Sequence, residues 1–178
     1  MDVIQLSLPM LLSLVCIGLV FGACLYDVIG RFIPNWQAAS LAVCGIGLQA
    51  ANGRLFGAVL SGGAVFLLAF LCWRRGWMGG GDVKLLGAAA TAVPLPLVPQ
   101  FIAAVAIAGG MLALLYLVAQ RVVPAPGSAL ADVSLSSSVR REKRLFARVA
   151  RIERWRIHRG CPLPYACAIA AGFLFVVL

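Results

Sequence analysis

Runs of seventeen or more apolar residues recur along this 178-residue chain, and no other feature limits its fold as much. Such a run can cross the hydrocarbon core of a bilayer as a helix. The composition points the same way. The chain is 62% hydrophobic and 12% charged, whereas an ordinary soluble domain is about 25% charged. The expected fold is therefore all-α: a polytopic integral membrane protein of one domain with about six transmembrane helices. The apolar runs place these helices at 7–26, 36–52, 55–73, 83–98, 100–120 and 161–178. The fourth contains Pro94, Pro96 and Pro99, so its last turn is expected to be broken and the helix short or tilted. The chain starts Met1-Asp2 with no basic stretch before the first apolar run, which argues against a cleavable signal peptide.

The basic residues give this layout a direction. With the N-terminus outside, the cytoplasmic segments hold fourteen of the fifteen basic residues, and only Arg54 falls outside. The opposite orientation would put those fourteen outside, against the positive-inside rule. Six spans then place both termini on the external side.

One long polar stretch, 121–160, separates a membrane core (1–120) from a final helix (161–178). Its first part, from Pro124 to Ser138, reads as a linker. In its second part, residues 139–159, Leu145, Phe146, Val149, Ile152 and Trp155 share one helical face with arginines opposite. That pattern predicts an amphipathic helix lying on anionic lipid at the cytoplasmic surface. The net charge of +9 is thus explained by topology and this helix, and nucleic acid is not an expected partner.

The six cysteines form no C-x-x-C pair, and His158 is the single histidine, so no metal site is expected. The cysteines read as small apolar residues of helices. A disulfide stays open for Cys161. Glycines such as those in Ser61-Gly62-Gly63-Ala64 and Ala108-Gly109-Gly110 read as close helix-packing positions.

Against this apolar background there are only six acids. Asp2 is terminal, and Asp132, Glu142 and Glu153 lie in the polar stretch. Asp27 closes the first apolar run, in Leu25-Tyr26-Asp27-Val28-Ile29-Gly30-Arg31-Phe32-Ile33-Pro34-Asn35. Asp82 lies in Met78-Gly79-Gly80-Gly81-Asp82-Val83-Lys84. Carboxylates at membrane depth are costly and mark function by default, and the charge-derived topology puts both on the cytoplasmic side.

Two carboxylates brought close together share a proton, because both cannot readily ionise. The ionised one can take a proton from water while the protonated one polarises a carbonyl, which is sufficient to hydrolyse a peptide bond. Gly79, Gly80 and Gly81 would let another backbone approach Asp82 and would tolerate unusual φ/ψ values. An extended peptide could pair along such an edge. Pro34 fixes the chain direction after Asp27, and Asn35 can cap the next helix. Lys84 can steady a negative charge in the site or simply reach to the interface. Other hydrolytic sets fail. His158 lies in the basic segment, away from any membrane serine; H-E-x-x-H is absent; neither Lys84 nor Lys143 has an evident serine partner.

These residues resemble a known family. Met78-Gly79-Gly80-Gly81-Asp82-Val83-Lys84-Leu85 is similar to the G-x-G-D-x-K pattern of the type IV prepilin peptidases. Asp27 with Ile33-Pro34-Asn35 is similar to the family's first aspartate and its I-P-N sequence. Leu163-Pro164-Tyr165-Ala166 with Ala168-Ile169-Ala170 resembles its P-Y-G-x-A-x-A segment. The resemblance covers most of the chain outside 121–160. It implies a membrane aspartyl protease that removes the short basic leader of pilin-like precursors at the cytoplasmic face of the bacterial inner membrane, with Asp27 and Asp82 as the catalytic pair and no cofactor. Ala166 stands where the family usually has glycine. The cysteine-rich zinc domain of the long, bifunctional members is missing, and those members also methylate the mature pilin. The chain therefore resembles the short branch serving Flp (tight-adherence) pili, without methyltransferase activity. Tyr26-Asp27 with G-x-G-D is also similar to presenilin-like proteases, but length and span number fit the prepilin group better.

Each acid has a plainer reading. Asp27 alone could be a solvated interfacial residue, and Asp82 alone could be a first-turn acid favoured by the helix dipole. A non-enzymatic alternative is a small transporter or secretion subunit using both acids as ion or proton sites. Transport carboxylates usually sit near the bilayer midplane, whereas these two lie at a boundary.

Overall fold

The computed structural model describes residues 2–30, 32–122 and 165–177. Within these the chain forms six α-helices and no strand: α1 (Asp2–Gly30), α2 (Asn35–Ala51), α3 (Leu55–Arg74), α4 (Gly80–Ala92), α5 (Val98–Val122) and α6 (Tyr165–Val177). The all-α expectation holds. The amphipathic helix at 139–159, the linker before it and Cys161 lie outside the described residues.

The chain divides into two compact units. One comprises Met1–Gly110 with Pro164–Leu178, and the other Met111–Leu163, of which the described part is the end of α5. The first unit carries both aspartates, Asp27 and Asp82.

Among the described residues, three stretches are long and apolar enough to cross a membrane: Leu8–Gly30, Leu55–Arg74 and Leu95–Ala119. Their exposed side chains are large and apolar, such as Phe21 on α1, Leu68 on α3 and Ile107 on α5, the surface that lipid covers in a membrane protein. The helix expected at 83–98 is instead 80–92. Its thirteen residues rise only about 20 Å, short of the ~30 Å hydrocarbon core.

The prolines explain the early stop. Pro94 disfavours helical geometry in the residue before it, and Val93 is extended at φ −92°, ψ 131°. A 3₁₀ turn at Leu95–Leu97 follows, and Pro99 occupies the second residue of α5, where a missing N–H costs nothing. Pro94 and Pro96 also cannot supply the N–H groups that the carbonyls of Ala90 and Ala92 would receive in a continuing helix. Neighbouring helices supply donors instead. Ser61 Oγ of α3 donates to the Ala90 carbonyl at 3.0 Å, and Gln49 Nε2 of α2 donates to the Ala92 carbonyl at 2.8 Å. The sequence thus ends α4 with prolines and places replacement donors on two other helices.

α4 is the centre of the first unit, packed against α1, α2, α3 and α6. Val83 and every residue from Leu85 to Ala92 are buried. Small residues set the approach. A Cβ at Gly45 of α2 would collide with Thr91 Oγ1 and stand 2.8 Å from the Ala92 nitrogen. A Cβ at Gly62 of α3 would strike the Thr91 methyl. Of the glycine pairs read as packing positions, only one member of each does this work: Gly62 and Gly109 are in close contact, whereas Gly63 and Gly110 face open space. Overpacking a filled interface costs about 1–3 kcal/mol. Gly45→Ala should therefore lower stability by about that amount, read as a drop in the thermal unfolding midpoint in detergent, while Gly63→Ala should leave it unchanged.

Candidate active site

Asp27 lies in the last turn of α1, on the stripe Cys16, Val20, Ala23 and Asp27. These positions repeat at helical spacing and all are buried, so the carboxylate continues the inward face of the helix. Asp27 is 7% exposed. Its Oδ2 accepts a hydrogen bond from the backbone N–H of Ala166 at 3.1 Å. That N–H belongs to the first turn of α6, where helical N–H groups have no intrahelical acceptor. A carboxylate is a fitting partner for such an end.

Asp82 occupies the first turn of α4, whose N-terminal flank is Gly79 at φ −70°, ψ 143°. The carboxylate folds back over that flank. A Cβ at Gly79 would stand 2.8 Å from Asp82 Oδ2. The first-turn acid of the plainer reading is thus present, and the residue is half-buried.

The three glycines differ in role from the sequence expectation. None adopts a positive φ; among the described residues those are Gly53 and Gly76. The neighbours of Gly80 and Gly81 are side chains. A Cβ at Gly80 would meet Trp73 Nε1 at 3.4 Å, and one at Gly81 would meet Ile33 at 3.5 Å. Both are near ordinary contact distance, so only Gly79 lacks room for a side chain.

Pro34 takes the N-terminal flanking position of α2, and Asn35 is the first helical residue. Asn35 is therefore not the cap. Its Oδ1 instead accepts a hydrogen bond from Lys84 Nζ at 2.9 Å. The reason is positional: Pro34 already has the extended geometry the cap requires, which moves Asn35 one place into the helix. Lys84 thereby ties the start of α2 to the start of α4.

These contacts bring four chain segments together. Ile33 covers Gly81, Lys84 joins Asn35, and Ala166 joins Asp27. Tyr165, next to Ala166, lies within electrostatic range of Asp82. The end of α1 and the starts of α4 and α6 thus occupy one end of the unit. Behind Tyr165 an apolar cavity of about 210 Å³ is lined by Met78, Cys72, Val65, Leu86 and Val105 among others.

The sequence reading places Tyr165 and Ala166 in a resembling segment and gives them no role at the site. The signal was the Pro164-Tyr165-Ala166 segment, whose spacing alone says nothing about which aspartate it meets. A second contact carried no sequence signal: Cys24 Sγ of α1 lies 2.7 Å from Cys167 Sγ of α6.

Among the described residues no cluster of three or more His, Cys, Asp or Glu side chains is arranged to hold a metal ion. No curated protein and no solved structure matches the chain. The stretch carrying both aspartates, their glycine flank and the Lys84–Asn35 tie falls inside residues 13–114, which match the model of the type IV leader peptidase family over more than half the chain, and the protein belongs to that family.

Proposed function

We propose that this membrane peptidase hydrolyses the leader peptide from Flp-type prepilins, with Asp27 and Asp82 as its catalytic pair. The observation that carries the reading is the hydrogen bond between Asp27 and Ala166. It ties the carboxyl of α1 to the start of α6, whose first residue, Tyr165, lies within electrostatic range of Asp82. The two carboxyls share one proton. The ionised member removes a proton from water as the water oxygen attacks the scissile carbonyl. The protonated member donates to that carbonyl oxygen. The tetrahedral species then collapses, the C–N bond breaks, and the amine leaves with a proton.

The substrate must be extended at the scissile bond, and the apolar cavity beside Tyr165 offers room for one apolar side chain next to it. The distribution of basic residues supports a site facing the cytoplasm in a bacterial inner membrane, with both termini external. It equally supports an anionic lipid surface as partner for residues 139–159. Methylation of the product is not part of the proposal.

The test is the purified protein in vesicles with a pilin precursor carrying a short basic leader. The expected result is release of the leader at one bond, seen by mass, and no methyl transfer when S-adenosylmethionine is added. An uncut precursor sinks the reading. The Lys84–Asn35 tie gives a finer expectation. Lys84→Met and Asn35→Ala should each slow cleavage a few-fold, and the double variant should be no slower than either single one, because both remove the same contact. Multiplying losses would mean that Lys84 acts on the substrate directly.

A further inference from the structure

We propose that Cys24 and Cys167 form a reversible disulfide that locks α1 to α6 beside Asp27 and switches cleavage off. The switch rests on the peptidase reading; the disulfide itself does not.

The two sulfurs are 143 residues apart in sequence and 2.7 Å apart in space. Closing to a bond requires a movement of less than about 1 Å, so the helices need not rearrange. Neither cysteine is in a disulfide and both are half-buried, within reach of a small oxidant. Their position gives the bond its effect. Cys24 stands one turn before Asp27 on α1, and Cys167 directly follows Ala166 on α6. The pair therefore brackets both ends of the hydrogen bond from Ala166 to Asp27 Oδ2. To act on water and a peptide, the Asp27 carboxyl must be able to shift between α1 and α6. A covalent tie beside it fixes the spacing of the two helices and denies that shift.

The chemistry balances with a peroxide as oxidant. One thiolate attacks the peroxide oxygen, giving a sulfenic acid and a first water. The second thiol displaces the hydroxyl from that sulfur, forming the S–S bond and a second water. Two electrons and two protons leave the thiols, and the O–O bond is reduced. A dithiol reductant reverses it by exchange. The plainer reading, two thiols sharing a hydrogen bond within the core, predicts no bond and no change in rate.

The experiment uses the full chain in vesicles, with Cys16, Cys44, Cys72 and Cys161 replaced by alanine. It is treated with hydrogen peroxide, alkylated with a maleimide and weighed without reductant. The expected product is lighter by two hydrogen atoms, has no alkylated cysteine, and yields a cross-linked peptide joining positions 24 and 167. Its cleavage rate should fall about tenfold or more and return with dithiothreitol. Cys24→Ser and Cys167→Ser should each cleave normally and resist peroxide. Two alkylated cysteines after peroxide would overturn the disulfide. A cross-linked protein that cleaves as fast as the reduced one would overturn the switch. If the reduced protein cleaves nothing, the peptidase reading fails, while the thiol count still decides whether the bond forms.

Discussion

Asp27→Asn and Asp82→Asn should each lower kcat/KM for precursor cleavage by about 10³-fold or more, equivalent to ~4 kcal/mol of transition-state stabilisation. Asparagine keeps the size of the side chain. At position 27 it also keeps an oxygen that can accept from the Ala166 N–H, so the contact between α1 and α6 survives. At position 82 it removes a first-turn charge from α4, worth about 0.3–1 kcal/mol of stability. Both variants should therefore insert and melt nearly as the wild type does. The plainer readings predict the reverse pattern: small shifts in melting and no loss of rate. A near-normal processing rate in either variant, measured as mature pilin per unit of inserted protein, would end the assignment of that residue.

Gly79→Ala should cut cleavage by about 10²-fold with little change in melting temperature. The backbone at Gly79, φ −70° and ψ 143°, is open to any residue, so alanine introduces no strain there. Its Cβ would stand 2.8 Å from Asp82 Oδ2, closer than nonbonded atoms tolerate. The carboxyl has to move, and a displacement near 1 Å at a reacting group costs rate on that order. Gly80→Ala and Gly81→Ala serve as controls. Their added carbons meet Trp73 and Ile33 at 3.4 and 3.5 Å, and each should slow cleavage less than about threefold. Equal losses at all three positions would show that the glycines serve an approaching backbone, as the sequence alone suggested, and not the Asp82 rotamer.

Much of the architecture was legible because bilayer physics writes it into composition. Helices α1, α2, α3 and α5 lie within a few residues of their expected ranges, apart from the N-terminal extension of α1 to Asp2. Charge-free apolar runs leave little freedom. The fourth helix was misjudged at both ends. Gly80 and Gly81 read as loop, yet they form its first turn, because the glycine penalty is small beside the burial of the rest of the helix. Its far end was read at 98, two residues past the second proline, with only the last turn expected to break; the helix stops at Ala92, before the prolines, where apolar character continues but hydrogen bonding does not.

The site was legible in part. Asp27 and Asp82 stood out because charge is scarce in this chain. The role of Asn35 did not, because whether proline or asparagine takes the flanking position depends on one residue of register. The partners on α6 were hidden for a different reason. A contact between residues 27 and 166 depends on how helices pack, and neither periodicity nor composition encodes that.

The substitution of Ser61 and Gln49 for the donors that Pro94 and Pro96 lack has a consequence for biogenesis. Leaving the ribosome, α4 carries near one end an Ala92 carbonyl that Pro96 cannot serve and an Ala90 carbonyl held only by the Val93 N–H at 3.3 Å, and near the other Asp82 and Lys84. In lipid each unpaired carbonyl costs several kcal/mol. The segment therefore has no stable residence in a bilayer until α2 and α3, made just before it, stand in place to receive it. Its entry is an act of assembly, in which earlier helices serve as the template. A ribosome-ordered supply of α2 and then α3 presents both donors before α4 needs them. Swapping the order of synthesis by circular permutation would strand α4 outside the membrane until its neighbours arrived.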